Sequence, residues 1–414
     1  MKPVVLLNLA VAVLASVGDQ LPEFQNCLEQ CYTFMSCPQL SLAEQIEFDS
    51  ESKDILQDQS PEEVSNEEQE EAPPLLQKRA VLVSTGETPE HSKEEFSSGL
   101  YDISPLSPFK SLWDCEADCN YKCQQIITDK REKTGLNVVQ FYGKWPFVRV
   151  WGIQEFFSTI FSLGNFYVNY INLSRLIQQY HKNSKLDSQQ QRYSVMVAQY
   201  IVLIIVSLFG WIFSSIFHLR DNSITETMDY FGASAIIMSN FNAITMRTFK
   251  IFKKSNSVVF AWQSIMVIAY IFHCTKLTYK WDYQYNTNVN LVLGLAAMTM
   301  WCILALKTRQ LYKQNYIMFN NSIQLLPFET KLLTKLNHIG LGQARWVPLL
   351  PIFFNLWLLL GISFEFFDWV PWLRLVDAHC LWHFFTIWPT IFWYDWNIWD
   401  IEMMKITDKA QRLS

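Results

Sequence analysis

Charged residues are scarce in this chain of 414 residues. Asp, Glu, Lys and Arg together make up 17% of it, whereas 50% is apolar and 15% is aromatic. A typical soluble domain carries about 25% charged residues, so the composition does not fit a plain soluble enzyme. A bare membrane bundle does not fit either, because the mean hydropathy is only +0.06. The averages therefore indicate a membrane part joined to a polar part.

The N-terminus lacks an apolar run long enough to cross a bilayer. Residues 4–15 form an apolar run of 12 residues, where a spanning helix needs ~20. Lys2 precedes this run, and small residues that permit cleavage follow it at positions 16–18. Residues 1–18 are therefore predicted to be a secretory signal peptide, with an uncleaved anchor as the alternative.

Basic residues are almost missing from the region that follows. Between Glu44 and Glu71 there are twelve acidic side chains and one lysine. Such a composition is typical of solvated, disordered chain. Behind a signal peptide, we expect residues 19–146 to form a luminal disulfide-rich domain that contains an acidic disordered insertion over residues 42–98.

Cysteine is absent from residue 124 to residue 273. Six cysteines precede this gap in two clusters, which are Cys27, Cys31 and Cys37 and then Cys115, Cys119 and Cys123. Behind a signal peptide they predict disulfides. Adjacent helical turns hold Cβ atoms ~5–6 Å apart, beyond the roughly 3.5–4.5 Å of a bridge. Each cysteine should therefore pair with the other cluster, with more than one connectivity open and a zinc site of thiols as the alternative.

Long apolar segments alternate with short polar ones after residue 147. Seven of them approach the ~20 residues of a bilayer crossing, namely residues 148–171, 195–217, 226–246, 257–274, 287–306, 347–367 and 372–395. The predicted fold class is an all-α membrane protein. It comprises a seven-transmembrane helix bundle over residues 147–396, the N-terminal luminal cysteine-rich domain, and a cytosolic tail over residues 397–414.

Lysine and arginine are distributed unevenly between the loops. The loops at 172–194, 247–256 and 307–346, together with the tail, hold seventeen, whereas the loops at 218–225, 275–286 and 368–371 hold three. By the positive-inside rule the first set is cytosolic. The cysteine region then lies in the lumen, which agrees with the signal peptide.

Five polar side chains lie near the luminal ends of three spans. Ser214 and His218 are four residues apart in the second span, and Asp229 opens the third. His379 and His383 are four apart in the last span. Residues four apart share a helix face, and His379 lies ~10 Å below the luminal end of its span at 1.5 Å per residue. All five groups can therefore meet in the luminal half of the bundle.

The three histidines have the pattern of a metal site. Two histidines at i and i+4, with a third from another helix, can hold a catalytic zinc and leave one position for water. Ionisable groups inside a membrane are costly, which favours a function for them. We therefore predict that His218, His379 and His383 bind Zn²⁺. A pair of packing or pore-lining histidines is the alternative explanation of the H-x-x-x-H spacing.

Several other charged groups lie close by in the sequence. Asp221, Glu226 and Asp377 could orient the imidazoles or act as ordinary interfacial charges. Glu155 and Arg149 receive no role from the sequence.

The constellation S-x-x-x-H, an aspartate eleven residues later, and H-x-x-x-H in the last span resembles the CREST superfamily of seven-span metal-dependent hydrolases. That superfamily includes alkaline ceramidases and adiponectin-type receptors. The segments CLEQC, LWDCEADCNYKCQ, YGKWPFVRVWGIQE, FHLRD, MDYF and DAHCLWH are similar to its branch of ER phospholipases, which remodel GPI-anchor lipids after GPI attachment to proteins. The resemblance covers residues 19–41 and about 105–400.

The resemblance implies a zinc-dependent lipid hydrolase that removes the sn-2 acyl chain from the phosphatidylinositol of GPI anchors. Asp229 would be the general base, and Ser214 would position water or stabilise the oxyanion. The partners would be GPI-anchored proteins and their lipid in the ER membrane, with a luminal N-terminus, a cytosolic C-terminus and no nucleic acid. A lipid amidase of the ceramidase kind and a non-catalytic receptor or chaperone for GPI-anchored proteins are the alternatives.

Overall fold

The computed structural model describes residues 17–38, 96, 102, 107–185, 191–365 and 367–413. Within these residues the regular structure is helical, apart from three isolated β-bridges. The chain divides into two compact units, one over residues 12–146 and the other running from Phe147 to the C-terminal end. Nearly all of the predicted signal peptide and of the predicted acidic insertion lies outside the described residues.

Among its described residues, the smaller unit contains two helices of ordinary length. Helix α1 spans Pro22–Met35 and helix α2 spans Cys115–Lys133, with a 3₁₀ helix at Lys110–Leu112 before α2. Proline fits the first turn of α1 because that position needs no backbone N–H donor. Asp114 caps α2 by accepting a hydrogen bond from the backbone N–H of Ala117 at 2.8 Å.

Every disulfide of the smaller unit joins one cysteine cluster to the other. The pairs are Cys27–Cys123, Cys31–Cys119 and Cys37–Cys115. The predicted pairing between clusters is confirmed, and none of these six thiols is left to hold zinc. Most of the bridged sulfurs lie in a buried core with Phe24 and Phe141.

The larger unit contains seven long helices among its described residues. They are α3 Phe156–Ser184, α4 Arg192–Leu219, α5 Ser223–Thr248, α6 Asn256–Tyr279, α7 Tyr283–Gln314, α10 Leu350–Glu365 and α11 Ala378–Leu413. The shorter helices α8 Tyr316–Asn320 and α9 Leu326–Asn337 lie between α7 and α10, and 3₁₀ helices occur at Ile251–Lys253 and Ala344–Leu349. Each predicted span overlaps one of these long helices.

Two of the predicted spans begin before their helices do. Residues 148–155 and 372–377 are not helical. Trp151 has φ 55° and Leu373 has φ 53°, a left-handed conformation that an α-helix of L-residues cannot continue through. The predicted spans begin at residues 148 and 372, but their helices begin only at Phe156 and Ala378. Residues 148 and 372 were therefore wrong as helix starts.

In the described part of the chain, four segments are long and apolar enough to cross a membrane, namely α4, α6, α7 and the joined segment Ala344–Glu365. Helices α3, α5 and α11 do not meet that criterion over their described residues. Helix α6 buries only His273 and Leu277 and exposes many apolar side chains, as a lipid-facing helix does. The chain is thus an all-α membrane protein, while the number of seven spans and their orientation stay predictions.

Polar residues form a buried stripe along α3. Its members, spaced three or four residues apart over most of the helix, are Ser158, Ser162, Asn165, Asn169, Asn172, Gln179 and Asn183. Such spacing places them on one face. Asn165 Nδ2 donates to the carbonyl oxygen of His383 at 2.8 Å, and Tyr394 donates to Asn169 Oδ1 at 2.9 Å. The polar face of α3 is therefore buried against α11.

Helices α4 and α5 come into backbone contact at two glycines. A Cβ atom on Gly232 would lie 3.0 Å from the Cα of Gly210, and one on Gly210 would lie 2.6 Å from Cδ1 of Ile236. Small residues allow two helices to approach this closely. The contact fixes the register of α4 against α5.

The predicted tail, residues 397–414, continues helix α11 through Leu413. Trp399 and Ile401 are fully buried in the core of the larger unit. Arg247 on α5 donates through Nε and Nη2 to the two carboxylate oxygens of Asp400 at 2.5 and 2.8 Å. The charge of Arg247 thus compensates the charge of the buried Asp400.

Candidate metal centre

The three predicted ligand histidines meet where α4 ends and α11 begins. The ring centroids of His218, His379 and His383 are 4.6 to 5.2 Å apart. The Nε2 atoms of His379 and His383 are 2.9 Å apart, and one ring nitrogen from each histidine lies within 4.8 Å of the others. Among the described residues, no other group of three or more His, Cys, Asp or Glu side chains is able to hold a metal ion.

The opposite nitrogen of each ring, Nδ1, has its own polar partner. His218 Nδ1 lies 2.7 Å from a carboxylate oxygen of Glu155. His379 Nδ1 lies 2.7 Å from a carboxylate oxygen of Glu365, and His383 Nδ1 lies 2.9 Å from the hydroxyl of Ser162. A carboxylate can only accept, so Nδ1 carries the proton in the first two rings.

The remaining ring nitrogens fit a bound cation. His218 Nε2 is buried and has no hydrogen-bond partner among the described residues, which is a costly state for a polar atom. With Nδ1 protonated, the Nε2 atoms of His218 and His379 present lone pairs, and the Nε2 atom of His383 lies 2.9 Å from that of His379. A cation between them would account for this arrangement, and three imidazoles are a ligand set typical of catalytic zinc. The residues present therefore fit Zn²⁺.

A helix cap holds one of the histidines in place. Asp377 caps helix α11 by accepting from the backbone N–H of Cys380 at 2.8 Å, which fixes the turn that carries His379. Glu226, by contrast, accepts from the Tyr283 hydroxyl at 2.7 Å. Asp377 thus supports the site through the backbone, whereas Glu226 is engaged by Tyr283.

Ser214 reaches the histidines through another serine. Its hydroxyl lies 3.1 Å from that of Ser162, which in turn contacts His383. Ser214 is buried on the same face of α4 as His218. The structure thus places Ser214 beside the histidine cluster, one hydroxyl away from a ring nitrogen.

Asp229 lies on α5, outside the cluster of ring nitrogens. It is one turn before Gly232, whereas Ser214 is one turn after Gly210 on the antiparallel helix α4. Since the two glycines touch, Asp229 and Ser214 lie ~4.5 and ~6 Å from the contact in the same direction, at 1.5 Å per residue. Asp229 is partly buried and at the depth of Ser214.

Three residues of the site were missed by the sequence reasoning. Glu155 was assigned no role, and Glu365 and Ser162 were not considered. Glu155 did carry a signal, because an acid directly before an apolar helix is expensive to bury. Ser162 and Glu365 gave none, since neither lies at a helical spacing of three or four residues from any of the three histidines.

The other buried histidine of the bundle has a separate environment. His273 Nε2 lies 3.2 Å from the Ser234 hydroxyl, and its Nδ1 lies 3.4 Å from the Tyr285 hydroxyl. His273 is thus held by hydroxyl groups of α5 and α7.

Comparisons with known proteins give a consistent family. Residues 105–401 match the model of the Per1-like family. Protein PER1 of Saccharomyces cerevisiae is 32% identical over 304 residues, covering 73% of this chain and 81% of that protein. The GPI-specific phospholipase A2-like PGAP3 of Xenopus laevis is 30% identical over 284 residues, covering 68% and 75%. Post-GPI attachment to proteins factor 3 of Drosophila melanogaster is 27% identical over 282 residues, covering 66% and 71%.

No solved structure matches the chain. The matched region nevertheless contains helix α2 with its three cysteines and the whole bundle as far as residue 401, including the three histidines. With most of the chain covered by the family model, and with the similarity to PER1 over nearly three quarters of its length, the chain belongs to the Per1-like family.

Proposed function

We propose that the chain is a zinc-dependent intramembrane lipid hydrolase that removes the sn-2 acyl chain from the phosphatidylinositol of GPI anchors. The observation that carries the proposal is the convergence of three imidazoles, with a buried Nε2 of His218 that lacks a partner among the described residues. The printed names of the relatives, GPI-specific phospholipase A2-like PGAP3 and Post-GPI attachment to proteins factor 3, support the choice of substrate.

The metal would be held by His218, His379 and His383. When bound, zinc supplies Lewis acidity and lowers the pKa of a coordinated water to about 7. Of the three rings, His379 is the most exposed, with 39% of its side chain accessible. The substrate would therefore approach beside His379, while His218 and His383 close the buried side of the site.

Asp229 and Ser214 would serve the reaction at the ester. Water adds to the sn-2 carbonyl carbon, and a carboxylate oxygen of Asp229 takes the water proton as general base. The ester C–O bond then breaks, and the proton passes to the departing alcohol, which leaves a fatty acid and a lyso-lipid. Ser214 would donate to the developing oxyanion, for which its hydroxyl must turn away from Ser162.

The location in the bundle supports an acyl ester as the bond that is cleaved. The histidines lie at the end of α4 and the start of α11, which the charge distribution predicts to be luminal. In a phospholipid the acyl esters lie just below the headgroup, at a comparable depth. We therefore place the reaction at the luminal side of the ER membrane, with the N-terminus luminal and the C-terminus cytosolic.

Lipid mass analysis of GPI anchors tests the proposal. Cells that lack this protein would be complemented with the wild type, with His379→Ala, or with His273→Ala as a matched histidine outside the cluster. The wild type and His273→Ala should yield lyso-GPI and remodelled anchors, whereas His379→Ala should leave the original sn-2 chain in place. Identical anchor lipids in all three lines would contradict the proposal and favour a receptor or chaperone. Cleavage of ceramide by the purified protein would favour the amidase.

A further inference from the structure

Glu155 is a buried carboxylate directly against a candidate metal ligand. Its Oε2 lies 2.7 Å from Nδ1 of His218, and the two side chains are 5% and 1% exposed. A carboxylate removed from water loses several kcal/mol of solvation unless hydrogen bonds or charges compensate it. The imidazole N–H of His218 supplies a charge-assisted hydrogen bond of this kind.

The main chain joins the same two residues. The backbone N–H groups of Gln154 and Glu155 donate to the carbonyl oxygens of Leu219 and His218 at 3.1 and 3.0 Å. Gln154 Oε1 also accepts from the backbone N–H of Asp221 at 3.0 Å. The last carbonyls of a helix have no partner within it, so these bonds fix the segment before α3 to the end of α4. Glu155 and His218 therefore form one rigid corner.

We infer that Glu155 is the positioning residue of the candidate metal centre. Its carboxylate accepts the Nδ1–H of His218 and thereby turns the lone pair of Nε2 toward His379 and His383. The inference rests on the metal site of the proposed function. Carboxylate partners of this kind fix the ring orientation and raise the basicity of the ligand nitrogen, and losing one typically costs 10–100-fold in metal affinity.

His379 provides an internal comparison because it has a carboxylate partner at the same distance. Glu365 lies 2.7 Å from its Nδ1, but the side chains of His379 and Glu365 are 39% and 36% exposed. Water competes for exposed hydrogen-bonding groups, whereas a low local dielectric strengthens buried ones. Loss of the Glu155 carboxylate should therefore weaken metal binding more than loss of the Glu365 carboxylate.

Metal titration of the full chain tests this order. The protein, purified in detergent and stripped with a chelator, is titrated with Co²⁺ and then with Zn²⁺ in competition. Glu155→Gln keeps the size of the side chain and removes its charge, so the affinity should fall about 10–100-fold, with a smaller fall for Glu365→Gln. Glu226→Gln is the matched control, because Glu226 is bound to Tyr283 outside the ligand cluster. The absorption bands of bound Co²⁺ should shift in Glu155→Gln and not in the control.

Thermal unfolding at increasing Zn²⁺ concentration separates positioning from folding, because a ligand that binds only the folded state raises Tm by mass action. Glu155→Gln should need about 10–100-fold more Zn²⁺ than the wild type for the same rise. A variant that is less stable without metal but gains the wild-type rise at the same concentrations would overturn the inference. Equal affinities of Glu155→Gln and Glu226→Gln, or a larger loss in Glu365→Gln, would overturn it too. A wild-type chain that binds no metal would contradict the proposed function itself, and the inference with it.

Discussion

At the scale of single residues, the three histidines are equal as proposed ligands but unequal in their surroundings. His218 and His383 are almost fully buried, and His379 is half-buried. Each would nevertheless supply one of only three protein bonds to the metal, and a catalytic zinc site rarely retains its ion with two. Burial therefore decides how firmly each ring is held, whereas the number of ligands decides whether metal is retained.

Alanine at any one of the three positions should remove most of the bound zinc, since losing one of three ligands weakens binding severely. Elemental analysis of purified His218→Ala, His379→Ala and His383→Ala measures this, with His273→Ala expected to retain the metal. Undiminished zinc in one of the three variants would take that residue out of the ligand set.

Asp229→Asn tests the proposed general base without removing a proposed metal ligand. The substitution keeps the size and hydrogen-bonding capacity of the side chain but removes its basicity, so folding and zinc content should be preserved. Activity should fall by about 10²–10⁴-fold, the usual contribution of a general base. GPI anchors that retain their original sn-2 chain, measured at normal expression, would be the result. Lyso-GPI release at the wild-type rate would exclude Asp229 as the base.

Ser214 and Ser162 should differ although their hydroxyls touch. Ser214→Ala should reduce activity less than Asp229→Asn and leave zinc in place. Ser162→Ala removes the Nδ1 partner of His383 and should lower zinc affinity. Activity and zinc content measured on the same preparations distinguish the two roles, and a loss of zinc in Ser214→Ala alone would reverse them.

The sequence predicts that the three histidines lie close together better than it predicts which side chains contact them. His379 and His383 follow a spacing that helix geometry turns into proximity. Glu155 and His218 are 63 residues apart, and Ser162 and His383 are 221 apart. No spacing rule connects such pairs, because only the packing of α3 against α4 and α11 brings them together.

At the scale of elements, the two glycines between α4 and α5 hold the helices that carry His218 and Asp229 at a fixed distance. Gly232→Ala places a Cβ 3.0 Å from the Cα of Gly210, so the helices must separate. Overpacking of this kind costs about 1–3 kcal/mol. A lower Tm in detergent and reduced activity should follow.

Gly294→Ala on α7 is the matched control, because an added Cβ there has no described atom within 4 Å. It should leave Tm unchanged or raise it, since alanine is favoured over glycine inside helices by about 0.5–1 kcal/mol. Equal effects of Gly232→Ala and Gly294→Ala would show that the contact of α4 with α5 contributes nothing specific.

Helix positions could be predicted from apolar runs, but helix starts could not. Residues 148–155 continue the apolar run of α3 backwards only in part, because Arg149, Gln154 and Glu155 interrupt it. The segment turns at Trp151 and Gly152 with positive φ and is hydrogen-bonded to the end of α4. Hydropathy reports the preference for burial and not the backbone conformation. The polar stripe of α3 likewise lowers its hydropathy, although the face is buried inside the bundle.

At the scale of the whole molecule, the disulfide-rich unit and the bundle are linked by one chain and have separate cores. Deletion of the acidic segment between Glu44 and Glu71 should leave the three bridges, the zinc content and GPI processing unchanged. A sequence this acidic is predicted to stay solvated, and each doubling of loop length changes closure entropy by only ≈0.6 kcal/mol. Peptide mapping under non-reducing conditions checks the bridges.

The matched control for the deletion removes one bridge by Cys31→Ser with Cys119→Ser. That double substitution should destabilise the smaller unit by about 2–5 kcal/mol. A bridge between Cys115 and Cys119 in the shortened chain would contradict the pairing. The overall division into two units could be predicted from composition, because acidic and apolar residues are segregated along the sequence. The connectivity of the cysteines could not, since several pairings satisfied the same distance rule.

The buried polar stripe of α3 bears on how the bundle is assembled during translation. Asn165 bonds to Thr386, a residue 221 positions further along the chain. If α3 spans the membrane as the sequence predicts, its side-chain amides meet the bilayer before their partners on α11 are synthesised, and a polar group without a partner in hydrocarbon costs roughly 2–7 kcal/mol. Bonds within α3 meet part of this demand, because the Nδ2 atoms of Asn165, Asn169 and Asn172 also donate to carbonyl oxygens one turn back. Water or another helix must supply the rest in the interval. The last of the described helices to be synthesised, α11, is thus the one that completes both the bundle and the histidine cluster.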